Sequence, residues 1–188
     1  MVGAFLQGEI DSPRFQDYIL PNLDAAPRGR ALIDQPDFND GGENDYRASL
    51  LEAGRGYERR SLLFAGFPHD VVWSRALLAE PDFETVKYGK WAPWIQYSDG
   101  TRWTRRAAEN FRQGKLRGET VQDIVGTLRR LAAGERLAPI IMVGKSLCAT
   151  EFVLLEGHVR STAFLLAGGS PMEALVGVSP DIPNWLPY

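Results

Sequence analysis

The stretch that most constrains this chain is Phe152–Gly169, FVLLEGHVRSTAFLLAGG. An apolar run from Phe152 to Leu155 stops at Glu156-Gly157-His158-Val159-Arg160. Ser161-Thr162 then open an alanine- and leucine-rich segment closed by Gly168-Gly169. The pattern predicts strand, polar turn, helix. Glu156, His158, Arg160 and Ser161 therefore fall where a strand hands over to a helix N-terminus. Exposed N–H groups and the helix dipole favour an anion at such a place. Gly157 would give a phosphate room to approach. The plain alternative is an ordinary turn, with Arg160 solvated and Ser161 capping the helix.

The Glu156–Arg160 turn resembles that of the ParB/sulfiredoxin-like fold, in which a strand delivers a glycine-, histidine- and arginine-bearing turn into a helix. It is most similar to the Gly-His-x-Arg form of nucleotide-using small-molecule kinases and ParB-like proteins. The match covers about twenty residues, with a looser fit from Val71 onward. Two departures narrow it. Sulfiredoxins carry a catalytic cysteine in the turn, but here that place is His158 and the single cysteine, Cys148, lies upstream. Partitioning ParB proteins carry adjacent arginines and a following helix-turn-helix domain, and only 19 residues follow Gly169. Neither of those activities is expected.

The resemblance implies an α+β fold, a small mixed sheet surrounded by helices. It also implies a nucleoside triphosphate (ATP or CTP) with Mg²⁺, used for phosphotransfer to a small-molecule substrate or for hydrolysis. Gly157, Ser161 and Thr162 would hold phosphates, Arg160 would neutralise transition-state charge, and Glu156 or His158 would act as general base or help hold Mg²⁺. A non-catalytic nucleotide switch, or a DNA-associated binding protein, would use the same turn.

Elsewhere the chain offers supporting groups. In Ser98-Asp99-Gly100-Thr101-Arg102, Asp99 could accept from a hydroxyl or serve as reserve base, while Thr101 and Arg102 could contact phosphate. Trp91, Trp94, Tyr97 and Trp103 surround this turn; they are read mainly as packing, with one able to stack on a base. Arg102, Arg105, Arg106, Arg112, Lys115 and Arg117 stand against one acid, Glu109. They form either a solvated helix face or a positive wall. Lys145 in Gly144-Lys145-Ser146 could reach the phosphates, although the glycine and helix of a phosphate-binding loop are missing there.

With 188 residues, 44% of them hydrophobic, one domain is expected: an N-terminal extension over residues 1–60 and a core over 61–188. A net charge of −3 argues against general nucleic-acid binding. No apolar run approaches the roughly 20 residues that span a bilayer, and no secretory signal begins the chain. A cytoplasmic protein is expected, its oligomeric state open and a homodimer among the options. Two histidines and one cysteine at these spacings build no metal site. In the acidic run Asp34–Asp45, counting from Asp37, a calcium loop fails because the twelfth residue is Ala48, and a solvated loop is expected.

Further elements are expected as a helix within Tyr46–Tyr57, strands at Leu62–Phe64 and Val71–Trp73, and a helix opened by Pro81 and ended by Gly89. A helix from Thr120, with a near capping box to Asp123, follows. A hairpin of Pro139–Val143 with Phe152–Leu155 and an edge strand at Ala174–Val178 complete the core, with Cys148 buried or incidental and Trp185 and Tyr188 docking the tail.

Overall fold

The computed structural model describes residues 1–10, 16–26, 28–168 and 171–188. The chain forms two compact units, Met1–Phe67 and Pro68–Tyr188.

The first unit is helical: α1 (Val2–Ile10), α2 (Gln16–Asp24), α3 (Ala31–Asp34) and α4 (Gly41–Arg55). Leu50 and Leu51 of α4 face inward, as their spacing predicts. Pro21 lies inside α2, with Ile19 and Leu23 both buried. The acidic run is an exposed loop, as expected, only as far as Asp40; from Gly41 it is the first turn of α4. Asp40 caps α4 by accepting from the Glu43 N–H at 3.0 Å, and Glu43 then pairs with Arg28 and with Arg47, the latter at 3.0 Å. Arg47 is 1% exposed. It donates to the carbonyls of Leu32 at 3.0 Å and Asp37 at 2.9 Å and to Asn44 at 2.6 Å, so the run is knitted together by one interior cation. Leu62–Phe64 is a single 3-10 turn, not a strand. It seats Phe64 against Phe5, Tyr57 and Phe67 at ring separations of 5.9, 5.1 and 5.3 Å, because Leu62 takes a positive φ of 48° that a strand cannot accommodate.

The second unit is a five-stranded mixed sheet flanked by helices. Its strands are β1 (Val72–Leu78), β2 (Val86–Lys87), β3 (Ile140–Gly144), β4 (Phe152–Glu156) and β5 (Met172–Val178), in the order β1-β5-β3-β4-β2. β3 and β4 form the expected antiparallel hairpin, and β1 runs antiparallel to β5. β5 is no edge strand: it lies between β1 and β3 and is parallel to β3, Met142 facing Val176. The continuous apolar runs of β3 and β4 reflect this central position, since every residue from Ile140 to Gly144 and from Phe152 to Leu155 is buried.

The expected helix from Pro81 to Gly89 is a 3-10 turn over Glu80–Thr85, after which Val86 and Lys87 pair in parallel with Phe152 and Val153. Val86 is buried and β-branched, and the ladder offered by β4 overrides a weak helical pattern. Next come α5 (Ala92–Tyr97), α6 (Thr104–Arg112), α7 (Glu119–Ala132) and α8 (His158–Ala167). The near capping box at Thr120 does not form: Gly118 precedes the first turn, and Thr120 is inside the helix. Helices α6 and α7 pack on α8, and Phe83, Trp94, Ile124, Met142, Leu154 and Phe164 belong to one apolar core. Cys148, on the hairpin loop, is exposed and not buried. Gly169 lies outside the described residues. Among the described residues no helix is long and apolar enough to cross a membrane.

The interior position of Arg47 has a measurable consequence. Arg47→Met leaves the buried Leu32 carbonyl, the partly buried Asp37 carbonyl and part of the Glu43 carboxylate without a donor, and should lower unfolding stability by about 3 kcal/mol. A urea titration followed by far-UV circular dichroism should show the loss as an earlier transition, and an unchanged midpoint would contradict the role given to this residue.

Candidate functional site

β4 ends at Glu156, and the chain turns at Gly157 with φ 96° and ψ 24°. A side chain disfavours that conformation. The space a Cβ would take is already filled, since it would lie 2.5 Å from Cγ2 and 2.9 Å from Cβ of Ile140. The glycine that sequence assigns to phosphate approach thus also lets the turn press against β3. Helix α8 starts at His158. No side chain caps it, and its ladder begins with Ser161 N–H donating to the Gly157 carbonyl at 2.8 Å. The N–H groups of the first turn come before that ladder.

Ser161 and Thr162 lie past that first turn, both fully buried. Their hydroxyls donate back to the His158 carbonyl at 2.9 and 2.8 Å. Thr162 Oγ1 in turn meets the Tyr88 hydroxyl at 2.6 Å. With Thr162 donating to the carbonyl, Tyr88 is the donor of this pair. A chain of hydrogen bonds therefore runs from Tyr88 through Thr162 to the backbone at the turn. Burial pushes the Tyr88 hydroxyl above its ordinary pKa, and its hydrogen bonds to Thr162 and Ser161 pull the other way.

His158 is enclosed by aromatic rings. Tyr88 stacks on it at 5.7 Å and 17°, Trp91 meets it edge-on at 4.8 Å, and Trp94 is tilted against it at 5.4 Å. The residue as a whole is half-buried, but its Nε2 is sealed off and has no hydrogen-bond partner among the described residues. Burial, helped by the neighbouring Arg160 charge, pushes the imidazole down to about 3. The ring is neutral at physiological pH and a poor general base. Trp91 reaches it only because residue 89 is glycine: a Cβ there would sit 2.0 Å from the indole.

Arg160 faces Glu156 at 3.4 Å and donates to the Pro139 carbonyl at 3.2 Å. Glu156, Gly157, His158, Arg160, Ser161 and Thr162 are thus brought together. Arg102 approaches from behind: it donates to the carbonyls of Tyr88 and Pro187, each at 3.2 Å, and burial draws its pKa below the ordinary value. Asp99 and Thr101 are engaged in their own turn. Thr101 donates to the Ser98 carbonyl at 2.7 Å. Asp99 accepts from Arg106 at 2.8 Å, and hydrogen bonding from Asn110 and Arg106 holds its carboxyl below the ordinary range. Lys145 is exposed on the hairpin loop, separated from Glu156 by the length of β4, about 13 Å at the usual rise.

In the run of cations, Arg112, Lys115 and Arg117 are exposed, while Arg105 and Arg106 are half-buried. Arg105 binds the Glu80 carbonyl at 2.9 Å, Arg106 pairs with Asp99 and Glu109, and Arg112 and Arg117 donate to backbone carbonyls. Among the described residues no group of three or more His, Cys, Asp or Glu is placed to hold a metal ion. Sequence reading missed the partners of His158. Tyr88, Trp91 and Trp94 lie more than sixty positions before it; the only local signal was Gly89 beside an aromatic-rich segment. No family model, no curated protein and no solved structure matches the chain.

The sheltered ring predicts an acid limb in stability. Above its ordinary value of 6.5, His158 is neutral folded and unfolded, and stability is full. As pH falls from there towards 3, only the unfolded chain takes up the proton, so stability should drop by about 1.4 kcal/mol per pH unit from this group. The difference in urea midpoint between pH 7 and pH 5 should shrink in His158→Gln, and an equal difference in both proteins would refute the assignment. Gly157→Ala should cost about 2 kcal/mol or more from its left-handed φ and the Ile140 clash; Ile140→Ala in the same chain should relieve only the steric part of that loss.

Proposed function

We propose that the Gly157 turn and the α8 N-terminus are the phosphate site of a nucleotide-binding protein of the ParB/sulfiredoxin-like type. The observation that carries this reading is a helix that leaves a strand through a left-handed glycine, has no side-chain cap and keeps an arginine in its first turn. In this reading the His158 and Val159 N–H groups bind phosphate oxygens, and the Arg160 guanidinium adds charge beside them. The ligand is a nucleoside triphosphate, ATP or CTP. Mg²⁺ accompanying it would take most of its ligands from phosphates and water, and would neutralise charge on the transferred group. Glu156 would receive the proton of an attacking small-molecule hydroxyl or water, the reaction being phosphotransfer or hydrolysis.

A second reading, binding without turnover, is favoured by one specific feature. The two candidate bases at the turn are both restrained, His158 by its low basicity and Glu156 by its pair with Arg160, and the reserve base Asp99 is paired with Arg106. A switch needs no base.

A thermal-shift series with ATP, ADP, AMP, adenosine, CTP and GTP, each with and without Mg²⁺, tests both. At a hundredfold excess over its dissociation constant, a triphosphate should stabilise the protein by about 2.7 kcal/mol, adenosine should give no shift, and Arg160→Ala should abolish the effect. Phosphate or diphosphate release from the hit then separates enzyme from switch. A flat response to every nucleotide would remove the phosphate reading altogether.

A further inference from the structure

The segment after the last strand runs across the aromatic enclosure of His158. A 3-10 turn at Ile182–Asn184 places Trp185, which is 1% exposed, edge-on to Trp91 at 6.1 Å. Two residues on, the Pro187 carbonyl accepts from Lys90 N–H at 3.1 Å and from Arg102 Nη1 at 3.2 Å. Both donors adjoin the same wall: Lys90 precedes Trp91, and Arg102 also holds the Tyr88 carbonyl.

Trp91 itself stands between a tight turn and the start of α5. Its N–H donates to the Gly89 carbonyl at 2.8 Å, closing a three-residue turn, and its ring folds back over Gly89. A turn of this kind has few hydrogen bonds holding it. The Trp91 carbonyl accepts from Ile95 N–H at 3.0 Å where α5 begins, and its side chain packs on the apolar core; on the outer side the indole is covered by Trp185 and the clasp on Pro187. Between these two anchors Leu186 is 75% exposed, while Trp185 and Pro187 are buried and Tyr188, partly buried, donates its N–H back to the Trp185 carbonyl at 2.9 Å, so the segment is pinned at alternate residues. Under the closed wall lies a buried Nε2 with no partner, a group that gains a hydrogen bond when the wall opens.

We propose that Trp185–Tyr188 is a strap that holds Trp91 closed over His158, and that its release at the Pro187 clasp uncovers the turn at the α8 N-terminus. The strap's role as a regulator rests on the phosphate reading of that turn; its opening does not. In the closed state Trp91 covers the ring beside the proposed phosphate site. In the open state Trp91 swings on the Gly89 turn and frees both the imidazole and its side of the helix end.

The two histidines make a direct test. His69 is exposed and serves as internal reference for diethyl pyrocarbonate, which modifies unprotonated imidazole. At pH 7, with modification followed residue by residue by mass spectrometry, His158 in the unaltered chain should react at least about tenfold more slowly than His69. Replacing the strap's end (Leu186→Gly, Pro187→Gly, Tyr188→Gly) or removing the side-chain half of the clasp (Arg102→Gln) should raise the His158 rate several-fold with the His69 rate unchanged. Equal rates in the variants and the unaltered chain would overturn the strap, as would a His158 that already reacts as fast as His69.

Should both variants lose their fold, hydrogen exchange on the unaltered chain decides. Lys90, Trp91 and Tyr188 amides exchanging together, faster than β3, support a common opening, and protection equal to that of β3 refutes it. Thermal shifts with ATP and Mg²⁺ on the same variants separate the two readings. A larger shift once His158 is uncovered supports regulation, whereas an uncovered His158 with no nucleotide response leaves a strap and refutes both its regulatory role and the phosphate site.

Discussion

The close approach of Gly157 to Ile140 is the constraint on which the second unit depends. Backbone at the end of β4 lies against a side chain of β3 with no room for another carbon. That contact fixes where α8 begins, and α8 in turn is the surface on which α6 and α7 pack. Conformation and packing demand the same residue: only glycine takes a φ of 96° freely, and only glycine leaves the Ile140 methyl group in place. A turn specified twice over in this way holds the groups around it in fixed positions.

Those groups are bound inward more than outward. Thr162 and Ser161 return their hydroxyls to the His158 carbonyl, Tyr88 joins through Thr162, and Arg160 is held by Glu156 and Pro139. Under the proposed function it is the backbone N–H groups of the helix end that would meet an anion, while the side chains supply rigidity and an aromatic wall. This arrangement explains why His158 is so weak a base. Its ring serves as one more aromatic in a stack, and the cost of charging it there exceeds what nearby groups return.

Much of the local structure was legible. The apolar runs that became β3 and β4, the amphipathic α7, and the strand–turn–helix around Gly157 all follow from spacing and from glycine placement. The errors share a cause. Leu62–Phe64 and Val86–Lys87 are short pieces whose state depends on whether a ladder partner is at hand: Val86 found β4, whereas Leu62 closed a 3-10 turn. Ala174–Val178 read as an edge because it came last, yet strand order is not chain order, and a parallel partner in β3 drew it between two strands. The acidic run is exposed as its composition suggests, but its bonds to Arg47 were hidden because that residue lies outside it in sequence.

The sequence by itself determined where a strand must end and a helix begin, since a glycine flanked by an apolar run and a helix-forming segment admits few other conformations. It also determined which reactive side chains would sit at that junction. Only the tertiary structure decided what those side chains can do. The protonation of His158, the engagement of Arg160 and the inward turn of the Ser161 and Thr162 hydroxyls all depend on Tyr88, Trp91, Trp94 and Pro139, residues that approach the turn through folding alone. Charge and basicity are set by surroundings, and surroundings are a property of the packed chain.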